Sequence, residues 1–424
     1  MCLTKKSVAM NKDVEYYDEL ETRDPQARLD AQFAALPEQI NHAQRRSRAF
    51  ARILADIDSA SIRTADALAQ LPVTRKSALT ALAKQDPPFG GLATAEPGEF
   101  ARVFSSPGPV YEPESHRPDY WRLARALFAA RFRRGDLVHN SFAYHFTPAG
   151  SMVEGAARAL GCAVFPAGVG QTELQAQAVA DLRPNGYVGT PSFLKMILDK
   201  GAEMKLDTTS LRKAVVSGEA LPPSLRAEIG KHGVEVLQCY ASADLGLIAY
   251  ESAAKEGLIV DEGVIVEIVR PGTGDVVPDG EVGEVVVTTF NPDYPLIRFA
   301  TGDLSAVMAG VSPCGRTNIR IKGWMGRADQ TTKVRGMFVT PTQVAEVVNR
   351  HPQITKGRLV VDRQADSDTM TLYCETETKG TPGLANDITA SLRDVCKLRG
   401  EVVFVAIDSL ATDGKVIDDI RKYD

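Results

Sequence analysis

Cysteine is scarce in this sequence, and long apolar runs are missing from it. Six cysteines occur among 424 residues, and none of them forms a CxxC pair. Because a long intracellular chain rarely uses disulfides, we expect these cysteines to act as scattered small hydrophobic residues. No apolar run reaches the roughly 18 residues of a membrane-spanning helix, and no signal-peptide core follows the early lysines. We expect a cytoplasmic protein without a membrane segment.

Positive charge is not concentrated anywhere in the chain. The formal net charge is -5, with 24% charged and 44% hydrophobic residues, which is typical of a globular enzyme. Without a basic block, binding to nucleic acid or to an anionic membrane is not expected. A chain of 424 residues is too long for one compact core, so we expect two or more domains.

Short apolar runs alternate with amphipathic segments from about residue 100 to residue 240. The strand candidates are 100–104, 137–141, 163–165, 187–189, 213–216 and 235–238, and the helix candidates are 119–133, 171–181, 191–203 and 222–232. This alternation predicts a doubly wound α/β architecture. Ahead of it, Asp24 and Pro25 predict a helix start, and Pro37 predicts the start of a second helix.

The pattern changes twice after residue 258. Valine-rich segments 264–269 and 283–289, separated by PGTGD and PDGE turns, predict antiparallel hairpins. From about residue 327, strands at 358–362, 370–375 and 401–405 with a helix at 384–396 predict a small α+β domain. We therefore expect an α/β protein in which residues 1–326 form a large N-terminal domain of doubly wound sheets plus a small β region. Residues 327–424 form a small α+β domain.

The segment YPLIRFATGDL, residues 294–304, carries the most distinctive polar pattern. Its TGD core indicates a turn that ends a strand and exposes the carboxylate of Asp303. A carboxylate accepts two hydrogen bonds at once, which suits the diol of a ribose. About 25 residues further on, the chain reads GRADQTTKVRGMFVTPTQVAEVV from Gly326. Together the two segments resemble the ribose-binding and hinge motifs of acyl-adenylate-forming ligases.

Further segments resemble the phenylacetate–CoA ligase family in the family's own order. They are LPVTRKSAL (71–79), ALGCAVFPAG (159–168), VGTPSFL (188–194), VVSGEALPPSLRAEI (215–229), QCYASADLG (238–246) and PCGRTNIRIKGWMGRADQ (313–330). The resemblance implies an AMP-binding N-terminal domain, a mobile C-terminal domain, and ATP, Mg²⁺ and CoA as cofactor and co-substrates. It implies an enzyme that adenylates a small carboxylic acid and transfers it to CoA. A homodimer is also suggested by the resemblance.

The resemblance assigns most of the nucleotide site residue by residue. Asp244 takes the place of the acidic residue that holds Mg²⁺ against the phosphates, a role that suits a hard oxygen ligand. Tyr240 is expected to stack on adenine, and Asp303 with Arg327 to hold the ribose hydroxyls. The remaining nucleotide-binding positions implied are Gly218, Glu219, Ala220, Ala241 and Ser242.

The C-terminal domain is expected to supply one catalytic group and a hinge. Lys415 stands where the family has a Gly-Lys pair, and its ammonium would bridge the substrate carboxylate and the α-phosphate. Asp329 falls at the hinge about which the small domain turns. After the turn, Gly336 is expected to line the channel for the pantetheine arm of CoA, because glycine lets a thin arm pass close to the backbone.

The acid pocket is expected in SFAYHFTPAG, residues 141–150. Tyr144, His145 and Phe146 are consecutive bulky rings in a segment rich in small residues, and they match the family's aryl-pocket segment. In an extended chain Tyr144 and Phe146 would point to one side and His145 to the other. The pattern favours an aromatic or arylacetic acid over a fatty acid.

The phosphate loop departs from the family pattern. The family has a Ser/Thr/Gly-rich loop that binds the β- and γ-phosphates, whereas this chain reads SSPGPVYEPES at 105–115. Ser105, Ser106 and Gly108 remain, but two prolines cannot donate a backbone N–H, and two glutamates follow. Either the loop still closes over ATP with fewer phosphate contacts, or the first half-reaction is lost. Adenylation with a non-CoA acceptor and a ligand-binding relative therefore stay open as alternatives.

A second departure concerns zinc. Some relatives hold a structural zinc where this chain has Ser252 and Ile259, which leaves Cys314 without partner ligands. One thiolate cannot build a tetrahedral site, so no zinc is expected.

Overall fold

The computed structural model describes residues 15–106, 110–334, 337–364, 367–377, 380–411 and 415–421. The chain divides into two compact units. The first comprises Met1–Ile268, Gly274–Thr301 and Ala306–Gly323, and the second comprises Val269–Thr273, Gly302–Ser305 and Trp324–Asp424.

The described helices are mostly short and lie between strands. They are α1 Pro25–Arg46, α2 Arg48–Ile53, α3 Ala65–Ala69, α4 Leu79–Gln85, α5 Ala124–Ala129, α6 Ala149–Ala159, α7 Thr172–Leu182, α8 Pro191–Glu203, α9 Pro223–Gly230, α10 Pro341–Asn349 and α11 Pro382–Cys396. Short 3-10 helices cover Glu19–Thr22, Ser59–Ser61, Lys76–Ala78, Pro97–Glu99 and Ala328–Gln330. No described helix is both long and apolar enough to cross a membrane.

The described strands follow the alternation predicted from the sequence. In the first half of the chain they are β1 Thr74–Arg75, β2 Arg102–Ser106, β3 Val110–Glu114, β4 Leu137–Asn140, β5 Ala163–Pro166, β6 Gly186–Gly189, β7 Lys213–Val216, β8 Glu235–Ser242, β9 Gly246–Glu251 and β10 Leu258–Val260. The later strands are β11 Val264–Val269, β12 Gly283–Thr289, β13 Phe299–Ser305, β14 Val307–Met308, β15 Arg320–Ile321, β16 Thr332–Val334, β17 Met337–Val339, β18 Lys356–Gln364, β19 Ser367–Glu375, β20 Glu401–Val405 and β21 Ile417–Asp419.

The first unit contains the larger sheet, in the order β14-β15-β10-β9-β8-β7-β6-β4-β5. Strands β4 to β8 of this sheet are parallel, whereas β9, β10, β15 and β14 continue it in antiparallel fashion. A smaller sheet has the order β1-β13-β12-β11, and β2 pairs with β3 as a hairpin. The predicted valine-rich strands at 264–269 and 283–289 are β11 and β12, neighbours in the smaller sheet.

The second unit is a four-stranded sheet, β20-β19-β18-β21, with α10 and α11. Its core contains apolar side chains of both helices and of the sheet, such as Val344, Ile388 and Leu372. A separate hairpin joins β16 and β17. The small α+β fold predicted for this part of the chain is therefore observed.

Two sequence expectations about helices were wrong in their boundaries. Pro37 lies inside α1 rather than at the start of a second helix. Burial of Leu36, Pro37 and Ile40 in the core offsets the backbone hydrogen bond that proline cannot donate. The predicted helix 119–133 shrinks to α5, because Arg122 and Arg131 on either side adopt positive φ angles of 63 and 67 degrees.

Candidate active site

The carboxyl ends of the parallel strands carry several of the predicted site segments. The strand order reverses at β4, because β5 lies on one side of it and β6, β7 and β8 lie on the other. In open α/β sheets, ligands bind in the crevice at such a point. The acid-pocket segment 141–150 follows β4, the segment 218–220 follows β7, and Tyr240 lies near the end of β8. These segments therefore meet at one edge of the sheet.

The segment 218–220, predicted to flank adenine, is an exposed turn that side-chain hydrogen bonds hold in place. Gly218 has a φ of 80 degrees, a conformation that favours glycine. Just before it, the Ser217 hydroxyl donates to the carbonyl of Cys239 at 2.9 Å. The Glu219 carboxylate accepts a hydrogen bond from the Ser192 hydroxyl at 2.6 Å. These contacts hold the turn, including the exposed Ala220, between β8 and the first turn of α8.

Tyr240 is largely buried, with its ring in the hydrophobic core and 9% of its surface exposed. Its hydroxyl donates to Thr301 Oγ1 at 3.1 Å, and Thr301 in turn donates to the carbonyl of Val285. A register shift between Tyr240 and Ala241 interrupts the pairing of β8 with β9. Beyond it, the Ser242 hydroxyl accepts a hydrogen bond from the backbone N–H of Leu245. Stacking of Tyr240 on adenine remains a prediction.

Asp244 forms an ion pair that the sequence did not predict. Its Oδ2 lies 2.5 Å from Lys76 Nζ, and the aspartate side chain is fully buried. Lys76 begins a 3-10 helix directly after β1 and belongs to the LPVTRKSAL segment. Asp244 Oδ1 is buried and has no hydrogen-bond partner among the described residues. One oxygen of the predicted metal ligand is therefore held by a cation, and the other is buried without a partner among the described residues.

The hairpin of β2 and β3 places a second buried carboxylate in this region. The Ser106 hydroxyl donates to Glu112 Oε1, whereas Glu112 Oε2 is buried and has no partner within the described part of the chain. Burial, followed by the charge of Asp244, raises the pKa of Glu112 to about 8. Ser106 was predicted to bind phosphate, and in the structure its hydroxyl is engaged by Glu112. Gly108 lies outside the described residues.

The acid-pocket segment contacts the hairpin directly. The backbone N–H of Ser105 donates to the carbonyl of Phe146 at 2.7 Å. Tyr144 is half-buried, and its hydroxyl accepts a hydrogen bond from Asn140 Nδ2 at 2.7 Å. Burial raises the pKa of Tyr144, and the Asn140 contact opposes this. The ring lies over Gly150, where a Cβ would come within 3.0 Å of it.

The expected alternation along this segment was wrong. Phe146 has a φ of 62 degrees, so the chain is bent rather than extended. His145 and Phe146 are both exposed, Phe146 by 77%, and their rings form an edge contact with centroids 6.4 Å apart. Of the three predicted side chains, only Tyr144 points toward the strand ends through its contact with Asn140.

A buried polar cluster at the carboxyl end of β4 was not predicted from the sequence. Gln175 Oε1 accepts a hydrogen bond from the Ser141 hydroxyl at 2.8 Å and lies 2.8 Å from His139 Nε2. Because this oxygen can only accept, His139 Nε2 carries the proton. Burial lowers the pKa of His139, although the contact with Gln175 opposes that shift. An isolated histidine on a strand gives no signal of such a network, since Gln175 lies on α7.

The second unit brings together the predicted ribose-binding pair. Arg327 Nη1 lies 3.2 Å from Asp303 Oδ1, and the Trp324 indole N–H donates to the same oxygen at 3.1 Å. Gly302, with a φ of 77 degrees, lies under the guanidinium, where a Cβ would come within 2.8 Å of Arg327 Nη2. The TGD sequence therefore needs glycine at this position. Trp324, which is 54% exposed, was not predicted.

Lys415 and the hinge segment also belong to the second unit. Lys415 is exposed, and its Nζ lies 3.1 Å from Asp418 Oδ1. The next residue, Val416, donates its N–H to Gln330 Oε1 at 2.7 Å, which ties the lysine segment to the 3-10 helix Ala328–Gln330. That 3-10 helix contains the predicted hinge residue Asp329. Gly336 lies outside the described residues.

In the part of the chain that the structure describes, no group of three or more His, Cys, Asp or Glu residues is arranged to hold a metal ion. Cys314 lies near Ser312, with 3.1 Å between the sulfur and the hydroxyl oxygen. Burial raises the pKa of Cys314, but hydrogen bonds from Ser252, Ser312 and Arg316 outweigh it and lower the pKa overall.

Sequence comparison identifies relatives over most of the chain. Residues 121–291 match the model of the AMP-binding enzyme family. Phenylacetate–coenzyme A ligase of Aromatoleum evansii is 31% identical over 332 residues, which cover 74% of each chain. The enzyme of the same name from Thermus thermophilus is 30% identical over 85% of this chain and 84% of its own.

Solved structures confirm the predicted α/β fold. An open conformation of 2-hydroxyisobutyryl-CoA ligase, in complex with 2-HIB-AMP and CoA, superimposes with a TM-score of 0.85. It is 22% identical, and the match covers 97% of this chain and 95% of that one. Anthranilate CoA ligase in complex with anthranoyl-AMP matches 76% of this chain with a TM-score of 0.51. With relatives at this identity over most of its length, the chain belongs to the phenylacetate–coenzyme A ligase family of AMP-binding enzymes, which are ATP-dependent acid–thiol ligases.

Proposed function

We propose that this ligase adenylates a small aromatic or arylacetic acid and transfers the acyl group to CoA. Relatives named phenylacetate–coenzyme A ligase support the acid class, as does the half-buried ring of Tyr144 near the end of β4. The observation that carries the proposal is the reversal of strand order at β4, because the segments 141–150 and 218–220 and Tyr240 all lie at the same edge of the sheet. The acid and ATP would therefore react at one edge of the sheet.

Asp244 is proposed to hold the Mg²⁺ of MgATP. Its Oδ1 is buried without a partner in the described chain, which fits a hard cation that needs an oxygen ligand. Magnesium usually keeps several waters and takes one or two carboxylates together with substrate phosphates, so a small ligand set is sufficient. Bound there, the ion would neutralise the charge that develops on the phosphates.

The other nucleotide contacts are proposed from the resemblance together with the geometry. Gly218, Glu219 and Ala220 would flank adenine, and Tyr240 would stack on it. Asp303 and Arg327 would hold the ribose diol, because the ion pair between them already orients both groups. The phosphate end would use Ser105, Ser106 and Gly108, with Ala241 and Ser242 beside Asp244.

The proposed reaction has two steps, adenylation and thioester formation. A carboxylate oxygen of the acid attacks the α-phosphorus of ATP, and pyrophosphate leaves to give acyl-AMP. Lys415 stabilises the charge that develops between the two reactants. The thiolate of CoA then attacks the acyl carbon, and AMP leaves with the oxygen that came from the acid. We propose that residues 327–424 turn at Asp329 relative to 1–326 between the steps, and that Gly336 lines the CoA channel.

We further propose that the enzyme uses no zinc, because Ser252 stands where some relatives have a ligand and is hydrogen-bonded to Cys314. The cytoplasm, where ATP and CoA are available, is the proposed compartment. A homodimer is proposed from the resemblance, and light scattering after gel filtration tests it.

A pyrophosphate-release assay over a panel of aryl and arylacetic acids tests the function. Release that needs only acid and MgATP, with thioester formed when CoA is added, supports the ligase. If pyrophosphate is released but the acyl group is transferred to an amine or a carrier-protein thiol, the acceptor is that group and not CoA. Nucleotide binding without release for any acid would contradict the proposal and favour a ligand-binding relative.

A further inference from the structure

The hairpin contains two glutamates in the place where a polyphosphate would approach, but only one of them is neutralised. Glu114 accepts hydrogen bonds from the Ser151 hydroxyl at 3.0 and 2.8 Å and lies 3.1 Å from Arg102 Nη1. Glu112 accepts one hydrogen bond, from Ser106, and its Oε2 has no partner among the described residues. Both side chains are buried, but among the described residues only Glu114 forms an ion pair, and Glu112 has none.

Asp244 also has a buried oxygen without a partner among the described residues, and it is close enough to Glu112 for its charge to raise the pKa of Glu112. Asp244 is 2% exposed and Glu112 is fully buried, and each has one oxygen without a partner in the described chain. Within the described part of the chain, Lys76 is the one cation that forms an ion pair with either carboxylate, through Asp244 Oδ2. A buried carboxylate oxygen without a partner costs several kcal/mol unless a ligand satisfies it. Two such oxygens from different elements, one on β3 and one after β8, thus point to a shared ligand of positive charge.

The departure of the phosphate loop indicates which ligand this is. Pro107 and Pro109 have no N–H to donate to a phosphate. Without a cation, the raised pKa of Glu112 keeps its carboxyl protonated near neutral pH, so the side chain offers nothing to a phosphate. A divalent cation that displaces this proton would attract the β- and γ-phosphates. The cation would thereby replace contacts that the family's hydroxyl-rich loop provides.

We propose that Glu112 is a second carboxylate ligand, beside Asp244, for the divalent cation of the nucleotide, and that Lys76 supplies the countercharge when nucleotide is absent. This inference rests on the proposed adenylation function. It adds Glu112, a residue to which the resemblance assigns no metal role, to Asp244, the residue to which it does. It explains why two carboxylates remain buried together near a single lysine. Ser106 then acts as a positioning residue, because its hydroxyl orients Glu112.

The test measures cation binding rather than turnover. Mn²⁺ is titrated into the full-length protein with α,β-methylene-ATP present, and free Mn²⁺ is followed by electron paramagnetic resonance. Glu112→Gln should raise the Kd for Mn²⁺ by about tenfold or more, since even outer-shell partners of a metal are worth that much. Glu114→Gln is the matched control on the same strand, and it should leave the Kd unchanged. An unchanged Kd in a folded Glu112→Gln variant would overturn the inference.

A second variant is expected to bind Mn²⁺ more tightly, a result that misfolding would not produce. Lys76→Met removes the countercharge, so Mn²⁺ should bind more tightly than to the unaltered protein when nucleotide is absent. Unchanged or weaker binding would refute the role given to Lys76. Failure of the adenylation proposal is recognised separately, because the unaltered protein would then bind Mn²⁺ and nucleotide but form no acyl-AMP.

Discussion

At the scale of single residues, Asp244 and Asp303 each have an oxygen held by a cation of the same unit. Lys76 binds Asp244 at 2.5 Å, and Arg327 binds Asp303 at 3.2 Å. Such partners orient a carboxylate before the ligand arrives, which reduces the entropy lost on binding. The proposed metal and ribose contacts therefore start from ordered side chains.

Lys415→Ala is the residue-scale prediction. If the ammonium stabilises the charge on the reacting carboxylate and α-phosphate, acid-dependent pyrophosphate release should fall by about 100-fold or more. Thioester formation from supplied acyl-AMP and CoA should remain, because that step does not need the same contact. Stopped-flow measurement of each half-reaction gives both rates.

Lys397→Ala is the matched control for this prediction. Lys397 is also exposed and also pairs with an aspartate three positions away, as Lys415 does. Its loss should leave both half-reactions unchanged. Equal effects of the two substitutions, or undiminished adenylation in Lys415→Ala, would show that Lys415 has no specific role.

The pairing of Asp303 with Arg327 could be expected from the sequence, whereas the pairing of Lys76 with Asp244, the proposed metal ligand, could not. Asp303 and Arg327 belong to two neighbouring motifs, and the backbone bridge between them brings the side chains together. Lys76 and Asp244 are 168 residues apart, and only the tertiary fold joins them. The signal available was the presence of Lys76 inside a family-matching segment. The sequence suggested that Glu112 is a charge that repels phosphate. Its burial could not be predicted, because the polar sequence of this hairpin gives no sign of it.

At the scale of elements, the ends of α5 show how backbone geometry overrides periodicity. Asp119 accepts hydrogen bonds from the N–H of Ala124, at 3.2 and 3.1 Å, and so satisfies a donor in the first turn. Its own φ is 45 degrees, which keeps the preceding turn out of the helix. The spacing of apolar residues had predicted a helix over 119–133, which is longer than α5 at both ends.

Asp119→Asn is the element-scale prediction and concerns pH. Burial, opposed by the hydrogen bond from Ala124, raises the pKa of Asp119 to about 7. The unfolded chain has a pKa of about 3.9 for aspartate, so the folded state binds the additional proton between those values. The free energy of unfolding of the unaltered protein should therefore fall, relative to Asp119→Asn, as pH rises from about 4 to 7, and level off above that.

Urea denaturation at pH 5 and pH 8 measures this difference. The change should be roughly 1–2 kcal/mol, allowing for solvent screening at a half-buried site. A difference between the two proteins that does not depend on pH would contradict the raised pKa of Asp119.

At the scale of the whole molecule, the boundary between the two units runs through β13, between Thr301 and Gly302. The second unit therefore carries Asp303 and Arg327 together with Lys415 and the proposed hinge residue Asp329. The alternation of strands and helices was enough to predict the large sheet, because parallel βαβ units have a strong periodic signal. The strand order, and with it the position of the segment 141–150 at the point where that order reverses, required the structure.

Asp329→Pro is the prediction at this scale. Proline fixes φ near −65 degrees and so resists the backbone rotation that a hinge requires. Pyrophosphate release should persist, whereas thioester formation should fall by about 100-fold because the CoA site is not assembled. Asp329→Ala, which leaves the backbone free to rotate, should retain both steps. Undiminished thioester formation in Asp329→Pro would place the hinge elsewhere.

The most direct test of the account follows the oxygen atoms of the acid. Phenylacetate labelled with ¹⁸O in both carboxylate oxygens is converted with MgATP and CoA, and the products are analysed by mass spectrometry. Attack of the carboxylate on the α-phosphorus predicts one ¹⁸O in AMP and one in the thioester. If the label appears in inorganic phosphate instead, or if AMP forms without it, the chain does not work through an acyl-adenylate.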